Sequence, residues 1–166
     1  FLMQASFGPT LAEIERVREL GFEGWIAAQQ AAEPTWHSDY LRYIHDDHYG
    51  PRADRSYNFS ELDDFLFGNN ITTAFARAAI QGEDQLRQRV AFALSQILVT
   101  SRRDANLTEK AMGMADYYDL FVEHAFGNYH DVLMDVALHP MMGRYLSHVG
   151  NQKAIPEINQ YPDENF

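Results

Sequence analysis

Asp84-Gln85-Leu86-Arg87-Gln88-Arg89-Val90-Ala91-Phe92-Ala93-Leu94-Ser95-Gln96-Ile97-Leu98 is the stretch that decides the fold. It opens with carboxylate, amide and guanidinium side chains around Leu86, and from Val90 onward it is apolar on nearly every side. A helix with one apolar stripe lies on a surface, whereas one apolar all round is enclosed. The pattern therefore predicts a helix over about 83–100, buried at the centre of its domain, with Arg87 and Arg89 just inside it. A guanidinium so placed must be paired and hydrogen-bonded, because an unpaired buried charge is strongly destabilising.

Outward from this segment, every strong periodicity is helical. Thr10 followed by Glu13 forms a capping-box signature, and Leu11, Ile14, Val17 and Leu20 mark one face of the helix it starts. Gly21-Phe22 suits a left-handed helix end with a hydrophobic clasp. Further helices are expected over about 23–32, 38–48 and 71–80, the last closed by Gly82. Downstream, a long helix over about 107–126 stops at Gly127-Asn128. The next carries Tyr129, Val132, Leu133, Val136 and Ala137 on one side and ends at Pro140. A short turn through 141–146 follows, then an extended tail. The region 51–70 mixes turn formers with Phe59, Leu62, Phe65, Leu66 and Phe67, and reads as an ordered loop with a short helical turn. No strand alternation competes. The expected fold is all-α, an irregular multi-helix orthogonal or antiparallel bundle around the helix at 83–100, with 1–166 forming a single helical domain.

Composition narrows the function. There are 13 basic and 24 acidic residues, a net charge of −11, and no stripe of basic and aromatic residues. Phosphate backbones repel such a surface, so nucleic acid and anionic membranes are set aside as partners. No apolar run approaches the ~20 residues of a membrane span. With no cysteine, thiolate metal sites and a cysteine nucleophile are ruled out. No Gly-x-Ser-x-Gly elbow surrounds Ser6, Ser95, Ser101 or Ser147, and no glycine-rich phosphate loop occurs. Met112, Met114, Met141 and Met142 fit core filling better than soft-metal binding.

Two clusters could carry chemistry. His45-Asp46-Asp47-His48, with His37 upstream, places imidazoles three apart on one helix face. His37, His45, Asp47 and His48 are thus candidate ligands for a divalent metal such as zinc or iron. The spacing is not that of His-Glu-x-x-His, and a solvated polar helix end before Gly50-Pro51 accounts for the same residues. No other cofactor is evident. Arg87 and Arg89 could bind an anion, or could serve an internal network that holds helix register with Asp116, Asp119, Asp163 or Glu164 as partners. His139 sits at a helix end, where the dipole favours a protonated imidazole.

Four segments together resemble a known family: Phe1-Leu2-Met3-Gln4-Ala5-Ser6-Phe7-Gly8-Pro9-Thr10, the stretch Asp84 to Gln96, Ala125-Phe126-Gly127-Asn128 with His139-Pro140-Met141-Met142-Gly143-Arg144-Tyr145-Leu146, and Pro162-Asp163-Glu164-Asn165-Phe166. They are similar, in order and over essentially the whole chain, to the bacterial domain of unknown function 1800. The resemblance implies an exported protein, periplasmic or extracellular. It also implies a larger chain that continues past Phe166 into an Ala-Arg-Glu-Leu-type helix, so that this chain is expected to be a fragment. Genes of the family often sit beside an exported family resembling sulfatases and alkaline phosphatases, which suggests a partner of that kind beside the rest of its own chain. No catalytic set is established for the family to carry over.

Two functions are therefore expected. The first is a non-catalytic helical module that binds or supports a partner. The alternative is a metal-dependent or acid–base hydrolase using the histidine cluster, with Asp163 and Glu164 as carboxylates at the start of the following helix.

Overall fold

The computed structural model describes residues 1–50 and 68–163. The aromatic-rich loop expected over 51–70 lies for the most part outside them, as does Glu164. Among the described residues the order is α1 (Leu2–Ala5), α2 (Leu11–Ala31), α3 (His37–Tyr49), α4 (Gly68–Gln81), α5 (Gln85–Ser95), α6 (Ala111–Glu123), α7 (Tyr129–Leu138), α8 (Pro140–Tyr145) and a 3-10 turn at Pro156–Ile158. The protein is an all-α multi-helix bundle. The tail is tied by a lone antiparallel bridge between Ile155 and Gln160.

Local chemistry accounts for the ends. Thr10 accepts from the Glu13 amide at 3.1 Å, as the capping signature requires. Glu13 does not complete the box; its carboxylate takes the Trp25 indole N–H at 2.6 Å. The two halves of α2 are thereby pinned across Gly21, whose φ of 70° and ψ of 174° break the helix where glycine alone is comfortable. This kink decides what α2 buries. Beyond it, Trp25 and Gln29 enter the interior. Before it, the expected apolar face stays largely outside, with Leu11 83% and Leu20 47% exposed, and Val17 reaches the small core of Leu2, Ala5 and Trp25. Replacing Thr10 with Ala is expected to cost about 1 kcal/mol in urea unfolding, the usual worth of an N-cap.

The helix expected at the centre does touch most of the others: α5 packs against α1, α2, α4 and α6. Its second half is less enclosed than its composition suggests, however, because the chain leaves the helix at Ser95 and Ile97 and Val99 turn outward. The deepest burial belongs to α6, where eight of thirteen residues are inside. Tyr117, Leu120, Phe121 and Val122 form the main core with Ala91, Leu107, Val132, Val136, Met141 and Met142. Ala111, Met112 and Ala115 meet Leu41 and Ala74 on the other side.

Gly82 ends α4 at a crowded place. A Cβ there would lie 2.5 Å from the Ala78 carbonyl oxygen, 3.0 Å from Asp84 Oδ1 and 3.2 Å from Thr35 Oγ1. Backbone and anchored polar groups cannot step aside, so Gly82→Ala is expected to destabilise the fold by about 1–3 kcal/mol, read as a lower urea midpoint at unchanged slope.

Candidate functional site

Two buried carboxylates organise the polar interior. Asp84, immediately before α5, is fully enclosed. Its Oδ1 accepts the Thr35 hydroxyl at 2.7 Å, and its Oδ2 accepts the Thr35 amide and the Gln88 side-chain amide, both at 3.0 Å. Gln88 also donates to the Thr35 carbonyl at 2.9 Å, so the 32–36 connection is clamped onto α5. Neighbouring amides extend the brace. Gln29 donates to the Glu83 carbonyl and accepts from the Leu86 amide. Gln85 accepts from the Phe7 amide and donates to the Gly82 carbonyl at 2.7 Å, closing the end of α4.

The two arginines belong to this brace and point opposite ways, as residues two apart on a helix must. Arg87 donates to the carbonyls of Val122 and Gln30 at 3.3 Å and of Ala32 at 3.5 Å, with its guanidinium 4.8 Å from the Phe126 ring centroid. Its nearest acid is Asp84, at 3.9 Å. Arg89 donates to the Gln4 carbonyl at 3.2 Å and lies over Phe7. The structure does not bring them together into one fork. Asp163 sits in the tail, where its amide and carbonyl bond to the Asn151 side chain.

The second carboxylate is Asp119 of α6. Its Oδ1 takes the His37 amide at 2.8 Å and the His37 Nδ1–H at 2.9 Å, while its Oδ2 takes the Ser38 amide at 2.9 Å. It thus caps α3 from another helix, satisfying donors that the helix start leaves open. Nδ1 is taken by this contact, which leaves Nε2 as the second ring nitrogen of His37. Among the described residues that nitrogen is buried without a hydrogen-bond partner, in a ring 1% exposed, between Tyr118 at 4.4 Å and Phe75 at 6.4 Å. Among the same residues the buried Tyr118 hydroxyl likewise has no partner of good geometry.

The other histidines separate. His45 points inward at 3% exposure, whereas Asp47 and His48 face outward. Among the described residues no group of three or more His, Asp or Glu side chains is arranged to hold a metal ion. His139 caps the start of α8 by accepting the Met141 amide on Nδ1, which leaves Nε2–H to donate to Asp116 at 3.3 Å. His124 staples the end of α6 to Asp135 of α7 at 2.6 Å. Between these pairs lies an open acidic cleft of about 380 Å³ lined by Trp36, Asp116, Glu123, Asp135 and His139.

Sequence reasoning named Asp119 only as a partner for arginine, and missed Thr35 and Gln29. The available signal was a polar residue inside an apolar run, as in Tyr117-Tyr118-Asp119-Leu120-Phe121-Val122. Such a residue must find a partner when buried.

Both tyrosines of that run have hydroxyls pushed well above their ordinary pKa by burial. For Tyr118 the Asp119 carboxylate adds to the effect, while Ser95 and Arg89 pull the other way. A folded-state pKa above the unfolded value stabilises the fold fully below the unfolded pKa and is lost as pH rises. The urea midpoint is therefore expected to fall once pH passes about 10, the free tyrosine value. Tyr118→Phe is expected to flatten that fall and to cost little at neutral pH, since the hydroxyl it removes makes no well-formed hydrogen bond among the described residues. An alkaline decline unchanged in Tyr118→Phe would contradict this.

The fold and its cross-braces define a helical scaffold in which buried carboxylates and amides lock non-adjacent helices together. A family model described as "Protein of unknown function (DUF1800)" matches residues 1–166, the whole chain, and the chain belongs to that family. No curated protein and no solved structure matches it.

Proposed function

We propose that the chain is a non-catalytic helical module of an exported bacterial protein that binds or supports a partner protein. One observation carries this reading: the polar side chains of its most distinctive segment bond to the chain itself. Asp84, Gln85, Arg87, Gln88 and Arg89 are all engaged by backbone or side-chain groups of the bundle. Such residues maintain a shape, and a maintained shape suits recognition. By family resemblance the partner is an exported protein similar to sulfatases and alkaline phosphatases. Sedimentation velocity of the purified chain mixed with that protein is expected to show a complex. No complex, together with turnover of sulfate, phosphate or carboxylic esters by the chain alone, would overturn the reading.

A metal-dependent or acid–base hydrolase is the second reading, and His37 is the observation in its favour. An imidazole with one nitrogen on a buried carboxylate and the other unpartnered is how a general base or metal ligand is oriented. That reading expects esterase activity abolished by His37→Gln, or stoichiometric zinc or iron lost in His45→Ala and His48→Ala. The first reading expects neither.

A further inference from the structure

A groove between α3 and α4 combines features that the scaffold itself does not use. Two adjoining cavities, about 400 Å³ and about 460 Å³, share Pro34, Thr35 and Arg77. Their size is that of small-ligand sites. The floor is the 32–35 connection, held rigid by the bonds from Thr35 to Asp84 and Gln88. Trp36 and Tyr40 form an aromatic wall at one end. Glu33 and Glu83 line the other end.

Arg77 stands where the cavities meet. Its guanidinium carbon lies 5.0 Å from the Tyr40 ring centroid and 6.0 Å from that of Tyr43. Those rings are themselves nearly parallel, with centroids 6.4 Å apart. Stacking holds a guanidinium in place by its face and leaves the N–H edge available. Among the described residues that edge meets no acceptor. Arg42 by contrast pairs with Asp39, and Arg87 reaches carbonyls. An oriented guanidinium with its donors unused suits a planar carboxylate or a phosphate. The surroundings choose between them. Glu33 and Glu83 have no cationic partner among the described residues, and the chain carries a net charge of −11. A phosphate dianion is repelled there, whereas a carboxylate joined to an ammonium is favoured at both ends.

We propose that this groove binds short peptides, with the C-terminal carboxylate on Arg77, an apolar side chain against Trp36 and Tyr40, and the N-terminal ammonium facing Glu33 and Glu83. The inference rests on the reading of the chain as a binding module and supplies a ligand class for it.

Isothermal titration of the whole chain with tri-leucine tests it. Binding is expected, and amidating the peptide's C-terminus is expected to weaken it about tenfold or more, the worth of a charge-assisted bond. Arg77→Met keeps the aliphatic stem on the tyrosines. It is expected to lose the same factor, with no further loss on amidation and no change in the far-UV spectrum. Glu33→Gln combined with Glu83→Gln should weaken the free peptide but not its N-acetylated form. No heat with tri-leucine, equal binding of the amide, or an unaffected Arg77→Met would overturn the proposal. So would inorganic phosphate displacing tri-leucine through Arg77 with comparable affinity. If tri-leucine fails while the partner-protein complex still forms, the groove assignment alone falls. If tri-leucine is cleaved and His37→Gln stops the cleavage, the non-catalytic reading falls instead.

Discussion

Asp84→Ala is expected to lower the free energy of unfolding by about 3–5 kcal/mol, the cost of stripping one member from a buried charged network. For a domain of this size that corresponds to a thermal midpoint roughly 10 °C lower. Nothing local would replace the lost acceptor. The Thr35 amide, the Thr35 hydroxyl and the Gln88 amide would all lose it in a place that water does not reach. Asp84→Asn separates shape from charge. It fills the same volume, but one of its two positions becomes a donor facing the Thr35 or Gln88 donors, so it is expected to recover less than half of the loss. Thr35→Val removes only the hydroxyl contact and is expected to cost about 1 kcal/mol. In a double-mutant cycle with Asp84→Ala that cost should vanish, because the bond is already gone. Additive losses would show that Asp84 acts through something other than the Thr35 hydroxyl.

Asp119→Ala is expected to be nearly as severe, about 3 kcal/mol, through a different mechanism. It removes the acceptor from two amides at the start of α3 and from the His37 ring, and so releases the end of a helix that carries Leu41 into the core. The informative readout is local. Asp119 Oδ1 is an acceptor, so nitrogen chemical shifts of the His37 imidazole are expected to show a proton on Nδ1. In Asp119→Asn, Oδ1 can still accept the two His37 donors, but the new amide faces the Ser38 N–H. A loss of about 1–2 kcal/mol with the tautomer kept is the expected result. A tautomer already on Nε2 in the parent protein would mean that the buried pair is arranged otherwise, and would remove the main support for the hydrolase reading.

The same two carboxylates show where reading a sequence stops. Thr10, Gly21, Asn128 and Pro140 were legible as helix boundaries because each acts within a few residues: a side chain reaches the amide two or three positions on, or a backbone angle excludes all but glycine. The all-helical class followed from periodicity for the same reason. The degree of burial was less legible. The run from Val90 to Leu98 is apolar on nearly every side, yet the helix ends inside it and part of its surface meets solvent, while α6, with Asp116 and Asp119 within it, lies deepest. Hydrophobicity states what a segment gains by burial, not which segment the packing encloses.

The candidate site divides along the same line. Arg87 could be recognised as a residue that must be paired, since a charge near an apolar run requires it. That it would pair with carbonyls of Gln30, Ala32 and Val122 could not. The histidines at 45 and 48 looked convergent on a helical wheel, but burial sends one ring inward and the other out. Arg77 carried no motif at all. Its place between two cavities and over two tyrosines exists only because α3 and α4 pack side by side.

By itself, then, the sequence determined the helical class, the helix boundaries that a local cap or glycine marks, the family and the need for buried partners. Those depend on interactions between residues a few positions apart, or on the bare cost of burying charge. Tertiary structure alone decided which partners met: Asp84 with Thr35 across 49 positions and Asp119 with His37 across 82. At such separations a pairing is set by how whole helices stack, because many carboxylates could satisfy a given donor and only packing brings one of them within reach.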